Sequence, residues 1–158
     1  MRRFLMILIV GLLASPAAGR APQGRGLVEV RDFFECFAAR TYAEGTGGLV
    51  APHPASLRVR RSFEDEQPIY EYVVPTGLRV FGLRPTTLGQ SEIHWATFAE
   101  TQALVANAVA RRWPTAVRTQ SPNGYVEFAQ GGRNLTVTRH RAPTGSEIVH
   151  GADVHCSL

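Results

Sequence analysis

The chain has 158 residues, 44% of them apolar, and its 17 basic against 13 acidic residues give a formal charge of +4. That length suits one domain with a short appendage and is enough for a sizeable core. The apolar content excludes a disordered chain, and the low charge gives no footing for a nucleic-acid binder.

The N-terminus reads as a leader. Arg2 and Arg3 precede an apolar run from Phe4 to Leu13, and Ala14, Ser15, Ala17, Ala18 and Gly19 supply the small residues a signal peptidase requires. The run is well short of the roughly 20 residues of a membrane-spanning helix. Residues 1–19 are therefore expected to be a signal peptide, with a periplasmic or secreted product and no transmembrane segment in the mature chain. No cysteine follows the run closely, which removes lipoprotein acylation, and the spacing after Arg2-Arg3 suits the general secretory route better than a twin-arginine route. Without Arg2 and Arg3 the basic count falls to 15 and the charge to +2. No lysine occurs anywhere.

Residues 20–27 are polar and expected to be flexible, ahead of a single α+β domain over 28–158. From Val28 the pattern turns helical: Val30, Phe33, Phe34, Phe37 and Ala38 form one apolar stripe, bordered by Cys36. The helix is expected to end before the Gly45–Gly48 segment. Leu57 to Phe63 and Ile69 to Val74 read as strands around a Glu64-Asp65-Glu66 turn, with Arg61 interrupting the apolar side of the first. Pro75-Thr76-Gly77 then reverses the chain into a strand over 78–83. A looser stretch over 84–91 leads to 92–99, which suits a short strand or the approach to a helix. The second helix carries Leu104, Val105, Ala108 and Val109, with Thr101 as its cap, Arg111 and Arg112 in its last turn and Pro114 as its stop.

The remainder reads as a meander. Strands are expected over 125–130, 135–141 and 147–156, with turns at Asn123-Gly124, Gly131-Gly132 and Pro143-Thr144-Gly145. The two Pro-Thr-Gly turns stand 68 residues apart, which suggests a tandem duplication of one helix and three strands. The sum is an antiparallel sheet of six or seven strands with two helices packed on one face.

Cys36 and Cys156 are the only cysteines. In an exported chain two thiols are expected to pair, clipping the first helix to the last strand; a bond between two chains or a buried free thiol are the alternatives. His140, His150, Asp153, His155 and Cys156 make the richest cluster of ligand-type residues, but strand alternation sets Asp153 and His155 against His150 and Cys156. Zinc on His140 and His150 is thus a remote reading, and no cofactor is expected. Neither a nucleophile elbow, nor a phosphate loop, nor a plausible carboxylate pair is present.

What remains is surface. Arg58, Arg60 and Arg79, with Tyr70 and Tyr72, are of the types enriched in protein interfaces. Trp95 and Trp113 are expected in the core. The favoured function is an exported, non-enzymatic domain that binds a protein or an envelope component, an inhibitor or immunity protein being one form. The rival is a small exported hydrolase or metal-binding protein built on the C-terminal histidines.

Overall fold

A computed structural model describes residues 25–37, 54–63, 69–91, 93–141 and 148–157. The expected leader over 1–19, most of the first long connection and the segments expected to turn at Glu64-Asp65-Glu66 and at the second Pro-Thr-Gly lie outside the described residues.

Two helices and eight strands follow one another as α1 (Arg25–Phe34), β1 (Val59–Phe63), β2 (Ile69–Tyr72), β3 (Pro85–Gln90), β4 (His94–Phe98), α2 (Gln102–Arg112), β5 (Val117–Gln120), β6 (Val126–Gln130), β7 (Arg133–Arg141) and β8 (Ile148–Ser157). The strands form one sheet in the order β1-β2-β3-β4-β8-β7-β6-β5, antiparallel at every joint. Each half is a helix followed by a four-strand meander, and the last strands of the two halves, β4 and β8, pair at the centre. The α+β class holds, with eight strands instead of six or seven.

Three expectations need correction. The span 78–83 is not a strand. Val80 and Leu83 bridge each other around Phe81 and Gly82, whose φ of 54° and 78° make the two-residue turn that matches strand twist. The following stretch, expected to be loose, is β3. The Pro-Thr-Gly repeat is not structural either: the first turn precedes β3, third strand of its meander, whereas the second falls between β7 and β8, third and fourth strands of theirs. An offset of 68 residues therefore does not superpose the halves, and each contains four strands.

Alternation explains the core. Tyr72, Leu88, Ala96, Val154, Val137 and Val126 are successive cross-strand partners, one per strand from β2 across to β6, and all are buried. Against this face α1 sets Val30, Phe33 and Phe34, and α2 sets Val105, Ala106, Ala108 and Val109. Leu104, assigned by spacing to that stripe, is 57% exposed. Gln102 pins the start of α2 to the sheet by donating Nε2 to the carbonyls of Val137 at 2.9 Å and Gly124 at 2.8 Å. Thr101 caps the helix, its hydroxyl accepting from Leu104 N–H.

Helix α1 starts at Arg25, earlier than expected, and stops at Phe34. Phe37 N–H reaches Asp32 O at 2.8 Å and Cys36 N–H reaches Phe33 O at 3.3 Å, with Cys36 at φ 60°. This pair of bonds around a left-handed residue is the Schellman stop. It turns Cys36 onto the sheet, where it forms the disulfide with Cys156 of β8, Cα to Cα 5.9 Å. Among the described residues no helix is long and apolar enough to cross a membrane.

Candidate functional site

With both helices on one face, the other face of the sheet carries side chains of opposite parity. One row runs from edge strand to edge strand through successive partners: Arg61, Glu71, Gly89, Trp95, His155, Thr136, Glu127 and Thr119. The next row holds Thr87, Thr97, Asp153 and Thr138. At the centre of the first row Trp95 is half-buried and lies over Gly89: a Cβ there would collide with the indole ring. A side chain at 89 would lift the ring off the sheet, so the glycine fixes the height of the tryptophan.

Beside Trp95 the face becomes polar. His140 Nδ1 lies 2.9 and 3.0 Å from the two carboxylate oxygens of Asp153. Thr138 Oγ1 lies 3.5 Å from His155 Nε2, while His155 Nδ1 is buried without a hydrogen-bonding partner. Burial lowers the pKa of His155 from the ordinary 6.5, and the nearby Asp153 charge opposes that shift only in part. An open cleft of about 590 Å³ adjoins the cluster, lined by Pro122, Asn123, Gly124, Tyr125, Thr138, Arg139 and Asp153.

This arrangement contains half of a hydrolytic apparatus. A carboxylate on Nδ1 orients an imidazole so that Nε2 can accept a proton. Among the described residues no hydroxyl or thiol is hydrogen-bonded to His140 Nε2 to serve as nucleophile. Alternation placed Asp153 and His155 on one face together, but not the partnership of His140 with Asp153. His150 is exposed beside Gly151. Neither His140 nor His150 belongs to the one group of three ligand-type residues found among the described residues, which is Cys36, His94 and Cys156.

The five residues read as an interaction surface are dispersed. Arg58 and Arg60 are exposed at β1, with Arg60 at the bulge between Val59 and Arg61. Arg79 is exposed in the β2–β3 connection, Nη1 donating to Gly82 O at 3.4 Å. Tyr70 is half-buried, and Tyr72 is a core residue, donating its hydroxyl to Gln90 Oε1 at 2.8 Å. Its burial, with the neighbouring Tyr70, pushes its pKa up. In their place β1 presents apolar neighbours the sequence reading left out. Every β1 residue is exposed, Phe63 by 50% and Val59 by 39%, and Ile69 opposite Phe63 by 38%.

Trp113 is buried as expected, its Nε1 donating to Glu35 O at 3.2 Å. Trp95 is on the open face instead.

Comparison with family models, with curated proteins and with solved structures finds no match.

Proposed function

We propose that this is an exported, non-enzymatic binding domain whose β1 edge receives an extended, acidic segment of a partner protein. The observation that carries the reading is β1 itself: an edge strand exposed along its whole length, bearing Val59, Arg60 and Phe63 beside Ile69, and preceded by the exposed Arg58. Edge strands offer unpaired backbone donors and acceptors, and folded proteins usually blunt them by covering them. Adding a strand from a partner satisfies the backbone, apolar side chains supply area, and charge selects the partner. Among the described residues no carboxylate forms an ion pair with Arg58 or Arg60. The leader and the pairing of Cys36 with Cys156 support an oxidising, exported setting.

The test places a photo-crosslinking residue at position 60 and, as control, at the exposed Arg111 on α2. The expected result is a discrete protein adduct from position 60 alone. The adduct partner, once purified, should bind R58E/R60E roughly tenfold more weakly, about 1.4 kcal/mol. Equal labelling from both positions, or a partner indifferent to the double charge reversal, overturns the reading.

A second reading rests on the His140–Asp153 pair beside the cleft: a small hydrolase with His140 as general base. Ester or amide turnover that disappears in His140→Ala while the fold persists would favour it over the first.

A further inference from the structure

The sulfurs of Cys36 and Cys156 and a ring nitrogen of His94 all lie within 4.8 Å of one another, and all three residues are buried. Three elements deliver them. Cys156 on β8 stands directly opposite His94 on β4, and the Schellman stop of α1 brings Cys36 onto Cys156. His94 is 3% exposed, and its ring is stacked on Phe33 at 4.1 Å and 24°. The imidazole is thus held by packing, not free to swing to solvent.

In the oxidised chain the sulfurs are consumed by their own bond. Before oxidation, or after reduction, the same atoms are two thiols and an imidazole. Ligands on one zinc ion stand about 3.5 to 4 Å apart, given bond lengths of about 2.0 Å to nitrogen and 2.3 Å to sulfur. The imidazole nitrogen is within 4.8 Å of both sulfurs, and the sulfurs, bonded to each other in the oxidised chain, reach that spacing by parting on reduction. We propose that the thiol form of this domain binds a zinc ion through Cys36, His94 and Cys156, so that metal and disulfide are alternative occupants of one buried position.

Charge decides the metal. Two thiolates and a neutral imidazole around Zn²⁺ sum to zero, whereas the same ligands around Cu⁺ leave a net negative charge in an apolar interior. Burying uncompensated charge is costly, so the divalent ion is preferred. The chemistry balances. A phosphine with one water reduces the disulfide to two thiols and becomes the phosphine oxide; zinc then displaces the two thiol protons, which leave to solvent. In the cell, the thiol form is the newly synthesised chain before an oxidant acts. Zinc there would hold α1 against β8 until the covalent bond replaces it.

The experiment uses the exported chain, purified without a histidine tag, reduced by a water-soluble phosphine under anaerobic conditions and incubated with zinc or, as a spectroscopic probe, cobalt. After gel filtration the reduced protein should retain about one metal per chain with a thiolate-to-cobalt charge-transfer band, and the oxidised protein should retain none. In His94→Ala, whose two cysteines remain, retained metal should fall well below one per chain. Zinc should also slow reoxidation by a disulfide oxidant in the native sequence and not in the variant. His94→Gln, closer in volume, repeats the comparison, and circular dichroism reports whether each reduced chain is folded. Failure of the folded or unfolded reduced chain to retain metal overturns the proposal. So does retention, or protection from oxidation, that is indifferent to His94.

Discussion

Glu35 Oε2 accepts a hydrogen bond from Arg112 Nε at 2.6 Å, although Glu35 is 1% exposed and Arg112 lies on the far helix. The other carboxylate oxygen accepts Phe81 N–H at 2.6 Å. One side chain therefore ties the end of α1 to the end of α2 and to the turn before β3. Phe81 needs the help, since a bulky residue at φ 54° is an uncommon conformation. Removing one partner of a buried ion pair strands the other. Arg112→Ala is therefore expected to destabilise the fold by about 2 to 3 kcal/mol, below the ~3 to 5 of a fully buried pair. The discount reflects the 43% exposure of Arg112 and the presence of Arg31 at 3.8 Å from the same oxygen. Glu35→Gln keeps an acceptor for Phe81 N–H and buries no charge, so about 1 to 2 kcal/mol is expected. Denaturant unfolding of the two single variants and the double tests the order. Equal costs would remove the stranded-charge explanation.

The contact of Trp95 with Gly89 yields a sharper optical test. Gly89→Ala puts a Cβ into the indole ring, and the neighbouring strands β2 and β4 hold the backbone in place. Overpacking of this kind costs about 1 to 3 kcal/mol. Because the ring can be displaced outward, Trp95 should become more exposed, shifting its emission to the red and increasing its quenching by iodide. Trp113, on the opposite face, should contribute unchanged in both proteins. A variant as stable as the parent, with identical quenching, would mean that the ring is not held where the sheet places it.

The helices and the disulfide could be read from residue types, because each signal is local. Val30, Phe33 and Phe34 repeat at helical spacing, Thr101 and Pro114 bracket α2, and two cysteines in a chain expected to be exported suggest pairing. The sheet was harder. β3 opens on Pro85 and contains Gly89, residues depleted in strands, and both are there for tertiary reasons: a bulge at Pro85–Thr87 and room for Trp95. β5 is an edge strand exposed at all four positions, so it shows no alternation to detect. Over 78–83 the error ran the other way. Leu78, Val80 and Phe81 look like a strand because they are buried, but a turn held by Glu35 buries them.

The candidate site was partly legible for the same reason. Alternation along β8 separates Asp153 and His155 from Cys156, and that survives in the structure. The neighbours they meet depend on which strands flank β8, which no local pattern specifies. His94 beside the two cysteines, and Trp95 beside His155, follow from β4 pairing with β8 across 50 and more residues of sequence.

The Cys36–Cys156 bond spans 120 residues, nearly all of the described domain. Constraining so long a loop in the unfolded chain is worth up to about 4 to 5 kcal/mol on chain-entropy grounds. Reduction should therefore lower the unfolding midpoint substantially. The Cys36→Ala/Cys156→Ala variant, which has neither bond nor thiols, should resemble the reduced protein in the absence of metal. Non-reducing mass spectrometry checks the premise: the native chain should be two hydrogens lighter than the reduced one, and thiol labelling should fail without a reductant. Full labelling of the native chain at both cysteines would remove the bond and the stabilisation together.

His155 gives the pH dependence a direction. Burial lowers its folded pKa below the ordinary 6.5, so the folded state holds the imidazole neutral where the unfolded chain would protonate it. Between those two values the unfolded state binds more protons, and stability rises with pH. The sign is thus fixed: full stability above about pH 6.5, and progressive loss as pH falls from there toward the folded pKa, beyond which no further loss comes from this group. The facing groups temper the effect. Asp153 favours the charged imidazole, and Thr138 can bond Nε2 in either state; Trp95 and Thr136, its cross-strand neighbours, offer no charge. His155→Gln removes the titrating group while keeping polar atoms near Thr138, so its stability should be flatter between pH 6.5 and 5. The measurement is the urea midpoint of both proteins across that interval. If the native midpoint stays level while that of His155→Gln falls, or if the two decline in parallel, the imidazole is not the group that titrates.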